Sequence, residues 1–213
     1  MQVADFKDLI KNLPYLNQSF DIKKAIWGKH ITSNQLSNIF GDSDILTISR
    51  NDLLECSKST DIDTFIIKTL MWGYPSGGRG NNIKNILSKI EIEKLVKFIE
   101  GSKNSDINIS YLKECCNNIK GMGLSTISKF TQFLDITIDS YAAVILDNRI
   151  IEAIKKGGFE EFTCFPEKKY NNAIKNYPQY IKIIDEIARK IAAKPDQVEM
   201  FLFLFGRNLK ALE

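Results

Sequence analysis

The sequence predicts an all-α protein. Three observations carry that expectation. Apolar residues recur at helical spacing in several stretches, among them Ile127, Phe130, Phe133 and Leu134, and Ile181, Ile184, Ile187, Ala188 and Ile191. No stretch of useful length alternates apolar and polar residues as a half-buried strand does. Two helical stretches flank a sharp turn at Gly121-Met122-Gly123, where two glycines one residue apart let the backbone fold back and approach another surface closely.

The whole chain sets bounds on this reading. Its 213 residues suit one compact unit or two packed lobes, and 44% apolar content supplies a core. The formal charge of +3 is too small to announce nucleic acid, yet leaves room for a local basic face. No apolar run is long enough to span a membrane. Met1 to Phe20 mixes acids and bases without a signal-peptide core, so a cytoplasmic, monomeric protein is expected. Cys56, Cys115, Cys116 and Cys164 lack paired Cys-x-x-Cys spacing and read as reduced, unliganded thiols. The single histidine, His30, cannot form a zinc site with such scattered cysteines and reads as a surface or capping residue.

Residues 1–60 read as an N-terminal lobe of short helices with turns at Asn12-Leu13-Pro14 and Gly41–Asp44. Phe6, Leu9, Ile10 and Leu13 form one stripe; Ile22, Ile26 and Trp27 begin another, and Asn51 to Glu55 looks like a helix start. Residues 61–155 read as a second lobe. It opens with a helix from Asp61 to Trp72, with Ile62, Phe65, Ile66, Thr69 and Leu70 facing inward. The helix runs into the glycine-rich loop Gly73 to Asn82. No Gly-Lys-Ser/Thr follows that loop, which argues against nucleotide triphosphate binding. Arg79 and Asn81 in the loop could contact a DNA backbone, and Trp72 and Tyr74 could stack on a base; the plain alternative is a connector with Trp72 in the core.

Ile83 to Leu87 and Glu91 to Ile99 continue as helix, and Gly101 to Asn108 reads as a surface loop. Ser110 to Cys116 and Ser125 to Leu134 are the helices around the glycine turn. Ser125, Thr126 and Ser128 suit a helix start, whose N–H groups and dipole can seat a phosphate. Ile136 to Asp139 and Ala143 to Leu146 are short β-like runs, read as extended connectors or helix ends. Arg149 to Lys156 is helical and stops at Gly157-Gly158. Residues 156–213 complete the first lobe, with helical patches from Asn171 to Lys175, from Tyr180 to Ala193 and from Pro195. Val198, Phe201, Leu202 and Phe205 form the last buried stripe. Phe203 lies off it; a base could stack there, but packing is the plainer reading.

One residue stands out downstream of the turn. Asp147 is a lone acid closing the apolar run Val144-Ile145-Leu146. Low-dielectric neighbours strengthen a carboxylate's field, so it could stabilise a developing cation; it could equally cap the helix that follows.

Helix, Gly-x-Gly turn, helix and an apolar run ending in Asp resemble the helix-hairpin-helix DNA glycosylase superfamily, which includes endonuclease III and the 8-oxoguanine glycosylases. Trp72-Gly73-Tyr74-Pro75 upstream, with Ser128-Lys129-Phe130 and Ile145-Leu146-Asp147 downstream, resembles its bacterial 8-oxoguanine glycosylase-like branch. The resemblance implies a two-lobed fold with a cleft, double-stranded DNA as partner, and excision of a damaged purine, 8-oxoguanine first. It places Asp147 at the sugar cation. Bifunctional relatives carry a Schiff-base lysine two residues after the second turn glycine; here that position is Ser125, as in water-using adenine-mismatch enzymes. Lys129 lies one helical turn on, on the same face as Ser125, and is the candidate amine, with a phosphate contact or a solvated lysine as its alternatives. Lys120, Gly121, Gly123 and Ser125 are the implied phosphate contacts. Carbonyls of Asn117, Ile119 and Met122 match those that hold a monovalent cation in the family. Relatives with an iron–sulfur cluster have four clustered cysteines, so none is expected here. Other readings stay open: a glycosylase for an alkylated or phage-modified base, and a non-catalytic DNA-binding module.

Overall fold

The computed structural model describes residues 1–165 and 173–209. The protein is mostly helical, with two small sheets. The N-terminal part runs through α1 (Lys7–Lys11), β1 (Ser19–Lys23), α2 (Lys24–Trp27), α3 (Ser33–Phe40), β2 (Ile45–Ser49) and α4 (Arg50–Lys58). The strands β1 and β2 pair antiparallel, Ser19 opposite Ser49 and Ile22 opposite Leu46. Here the expectation of short helices alone needs correction. The Ile22, Ile26, Trp27 spacing mimics a helical stripe but straddles a strand–helix junction: Ile22 belongs to β1, and only Ile26 and Trp27 to α2. Leu9 is also corrected: it is 43% exposed, and Val3 joins Ile10 in the core instead.

Local chemistry fixes the helix ends. Ser49 and Asp52 form a reciprocal capping box at the start of α4, as Thr32 and Gln35 do at α3. Asp61 caps α5 (Ile62–Gly73) through the N–H of Thr64. Next come α6 (Asn82–Ile86), α7 (Lys89–Ser102), β3 (Asp106–Ile107), α8 (Ile109–Asn118) and α9 (Leu124–Phe133). Strands β4 (Thr137–Ile138) and β5 (Tyr141–Ala142) follow. β4 runs parallel to β3 and antiparallel to β5. The stretches expected to be a surface loop at 101–108 and a connector at 136–139 therefore each contribute two strand residues. Asp139 and Ser140 both have positive φ, the pattern of a tight hairpin turn, and the Asp106 carboxylate accepts the N–H of Ser140 and the hydroxyl of Thr137.

The chain ends with α10 (Asn148–Gly157), α11 (Ala173–Ile191) and α12 (Pro195–Leu204). Gly158, at φ 61°, closes α10 in the left-handed conformation. The helix expected from Tyr180 reaches further back and includes Ala173. Pro178 lies inside it, and a proline normally marks a boundary because it lacks an N–H donor. Ala173 to Lys175 fall within that helix, while Asn171 lies outside the described residues. The core centres on α5 against α9, where Phe65 meets Phe130 and Trp72 meets Phe133 edge-on at centroid separations of 5.9 and 5.4 Å. The last helix, α12, packs against α1, α10 and α11, so the end of the chain meets its beginning. No helix among the described residues is long and apolar enough to cross a membrane.

Candidate active site

The site begins with the backbone of Val144 to Asp147. This run belongs to no helix or strand, and its apolar side chains are buried. A buried segment outside regular structure must pair its polar groups elsewhere. Tyr177 and Tyr180 of α11 donate their hydroxyls to the carbonyls of Val144 and Ile145, at 2.7 and 3.0 Å. Ser128 of α9 accepts the N–H of Leu146 at 3.3 Å. Asp147 emerges half-buried from this clamp as the N-cap of α10, its Oδ1 accepting the N–H of Ile150 at 3.0 Å. The capping role is thus present in the geometry.

Lys129 stands on α9, only 5% exposed. Its Nζ donates to the Ser125 carbonyl and, at 3.2 Å, to the Ser125 hydroxyl. The ammonium also faces the Tyr74 ring, 5.8 Å from its centroid, and the Tyr74 hydroxyl is tied to Thr126 Oγ1 at 2.5 Å. Burial pushes the Lys129 amine below the ordinary lysine range; the negative charges of Asp147 and Glu199 pull against it, and Arg50 adds to the downward push.

Lys129 and Asp147 line one narrow slot of about 60 Å³. Gln18, Arg50 and Glu199 form a buried polar wall. Arg50 and Glu199 make an ion pair at 2.7 Å. Arg50 Nε donates to Gln18 Oε1 at 2.6 Å, and its guanidinium lies 5.3 Å from the Trp72 ring centroid. Both Glu199 carboxylate oxygens are buried, with Arg50 as their charged partner. Burial pushes the Glu199 carboxyl up to about 6, outweighing the opposing effect of Arg50. Phe203 is half-buried at the slot with Arg149 stacked 4.5 Å from its centroid, so it is not simply core. Trp72 borders the slot yet is 4% exposed and packed edge-on against Phe20 and Phe133; most of its ring is core.

Gln18, Arg50 and Glu199 escaped the sequence reading because three distant elements bring them together. Only Glu199 left a signal, as the acid inside the apolar run Val198 to Leu202. A wider groove of about 860 Å³ lies between residues 29–35 and α7, but it contains neither Lys129 nor Asp147.

The other expected residues sit on the glycine-rich loop and the turn between α8 and α9. Arg79 and Asn81 are exposed. Gly77, Gly78 and Gly80 all have positive φ, which explains the glycine content of the loop. Loop and turn touch: a Cβ on Gly121, at φ 89°, would lie 2.7 Å from the Asn82 carbonyl oxygen. Lys120 is exposed, and its backbone N–H donates to Glu91 at 2.8 Å. Gly123 caps α9, its carbonyl accepting from Thr126 and Ile127. The N–H groups of Leu124 and Ser125 have no partner among the described residues. Of the carbonyls assigned to a cation by resemblance, that of Ile119 accepts the Met122 N–H at 3.0 Å. Lys94, paired with Glu91, donates to the adjacent Asn118 carbonyl at 2.8 Å. The Lys94–Glu91 pair thus fastens α7 to the turn, through the Asn118 carbonyl and the Lys120 N–H.

No curated protein and no solved structure matches the chain. A family model does match, over residues 14–203, and its description reads "Putative 8-oxoguanine DNA glycosylase OGG-like protein". That span takes in the polar wall, the glycine-rich loop, the turn and both Lys129 and Asp147, and on it the chain belongs to the OGG-like DNA glycosylase family.

Proposed function

We propose that the protein excises an oxidised guanine from duplex DNA and that Lys129 is the nucleophile. The observation that carries this reading is a buried amine of lowered pKa sharing a slot with the Asp147 carboxylate. A neutral amine at C1′ of the sugar attacks as the bond to the base nitrogen breaks. The electron pair of that bond leaves with the base, which takes up a proton. Asp147 stabilises the positive charge that develops on the sugar and accepts the proton shed by the amine. Sugar ring opening leaves a Schiff base on Lys129, and loss of the 3′ phosphate by β-elimination cuts the strand.

The polar wall supports guanine over adenine. Arg50 Nε occupies the carbonyl end of the Gln18 side chain, which leaves its amide N–H groups as the donors. The Glu199 carboxylate, an acceptor, lines the same slot. A guanine-type edge, with an O6 acceptor and N–H donors, complements that pair. Phe203 supplies a face for stacking, and Tyr74 lies across Lys129. Arg79, Asn81, Lys120 and the open N–H groups at the start of α9 hold phosphates around the extruded nucleotide.

The test is a panel of duplexes, each with a single modified base, with released bases identified by mass. This reading expects free 8-oxoguanine from its duplex and no adenine from an adenine mismatch. Release of an alkylated base with 8-oxoguanine left intact would reassign the substrate. Tight duplex binding without release of any base would favour a binding module instead.

A further inference from the structure

The last residue of α5, Gly73, borders the slot directly beneath Lys129. A Cβ built on Gly73 would lie 2.8 Å from Lys129 Cδ, 2.9 Å from Cε and 3.9 Å from Nζ. Separations under about 3 Å lie well inside carbon–carbon contact distance. The amine is fixed on its other sides by Ser125 and by the Tyr74 ring, itself tied to Thr126. A methyl group at position 73 therefore forces the flexible stem of Lys129 to shift, and carries the amine off its place beside Ser125 and Tyr74.

We propose that Gly73 is a positioning residue: its missing side chain forms the channel that holds the Lys129 amine buried beside Asp147. The proposal rests on Lys129 being the reacting amine. The backbone of Gly73 lies outside the left-handed region, so alanine there meets no conformational strain of its own. Alanine is also the better helix former. Only the lysine stem stands in its way.

The experiment compares wild type, Gly73→Ala, Gly101→Ala and Lys129→Gln. Gly101 is a control from α7, where an added Cβ meets nothing within 4 Å. Borohydride trapping on an 8-oxoguanine duplex is followed across pH, with thermal unfolding and duplex binding measured in parallel. Gly73→Ala should bind duplex within about twofold of wild type but trap at least about tenfold more slowly. Its pH midpoint should move up toward an ordinary lysine as the displaced amine gains solvent. Gly101→Ala should match wild type. Wild-type trapping rate and midpoint in Gly73→Ala would overturn the proposal. Trapping that persists in Lys129→Gln would instead sink the amine assignment, and this proposal with it. Should Gly73→Ala unfold early, Gly73→Ala combined with Lys129→Ala decides. Restored melting in the double variant confirms the clash with the stem, and equal loss with and without the lysine refutes it.

Discussion

The Ser128 hydroxyl accepts the N–H of Leu146 across the core. These two residues directly precede Lys129 and Asp147 in sequence, so one buried contact holds amine and carboxylate in register. Ser128→Ala leaves the Leu146 N–H buried and unpaired, at a cost of about 1–3 kcal/mol. Denaturant unfolding should show that loss, and single-turnover excision should slow in the same variant. Unchanged values for both would mean that the tyrosines of α11 hold the segment without help.

Asp147 separates capping from chemistry. Asparagine also caps helices well, so Asp147→Asn should lose little stability, while Asp147→Ala should lose about 1 kcal/mol with the cap. Excision should collapse in both variants, by at least about a hundredfold, because neither carries the charge. Excision that tracks stability alone, intact in Asp147→Asn, would make the residue a cap and nothing more.

The pH dependence follows from the buried amine. Its pKa is lowered chiefly by burial, so the reactive neutral form is available below the ordinary lysine range. Trapping should rise with pH and level off below the midpoint of a free lysine. Asp147 raises this pKa, so Asp147→Asn should move the trapping midpoint lower still, even as the rate falls. Stability has a matching sign. Between the lowered pKa and the ordinary one, the unfolded chain binds more protons, so the contribution of Lys129 to stability improves as pH rises through that window. In Lys129→Gln this slope should be missing from a pH series of melting curves.

The buried Arg50–Glu199 pair makes an asymmetric prediction. Arg50→Met strands a carboxylate in the core and should cost about 3–5 kcal/mol, whereas Arg50→Met with Glu199→Leu should recover most of it. The Glu199 pKa is raised from its usual 4.5 to about 6, so between these values the native state binds the extra proton, and the contribution of Glu199 to stability falls as pH climbs through the window. Equal losses in the single and double variants would show that packing at these positions, not charge, governs stability.

Much of the helical frame is legible in the sequence because it obeys local rules. The α9 stripe, the Asp147 cap and the Gly158 stop all follow from spacing and side-chain chemistry within one turn of helix. The strands β1 and β2 are not legible: each holds five residues, and their pairs lie 22 to 30 positions apart, a contact that no local period encodes. Leu9 shows the same limit on a smaller scale, since a stripe names a face but not its far edge. At the site, Lys129 and Asp147 carried sequence signals. Gln18 and Arg50 did not, and Glu199 only as a lone acid in an apolar run, because their meaning arises only where a strand entrance, α4 and α12 converge.

The most direct test is borohydride trapping on a labelled duplex carrying 8-oxoguanine opposite cytosine, with wild type and Lys129→Gln, alongside strand cleavage with and without alkali. Wild type should give a trapped covalent adduct and alkali-independent cleavage, both lost in Lys129→Gln while duplex binding persists. Cleavage only after alkali, with no adduct in wild type, would contradict that role for Lys129 and assign the attack to water.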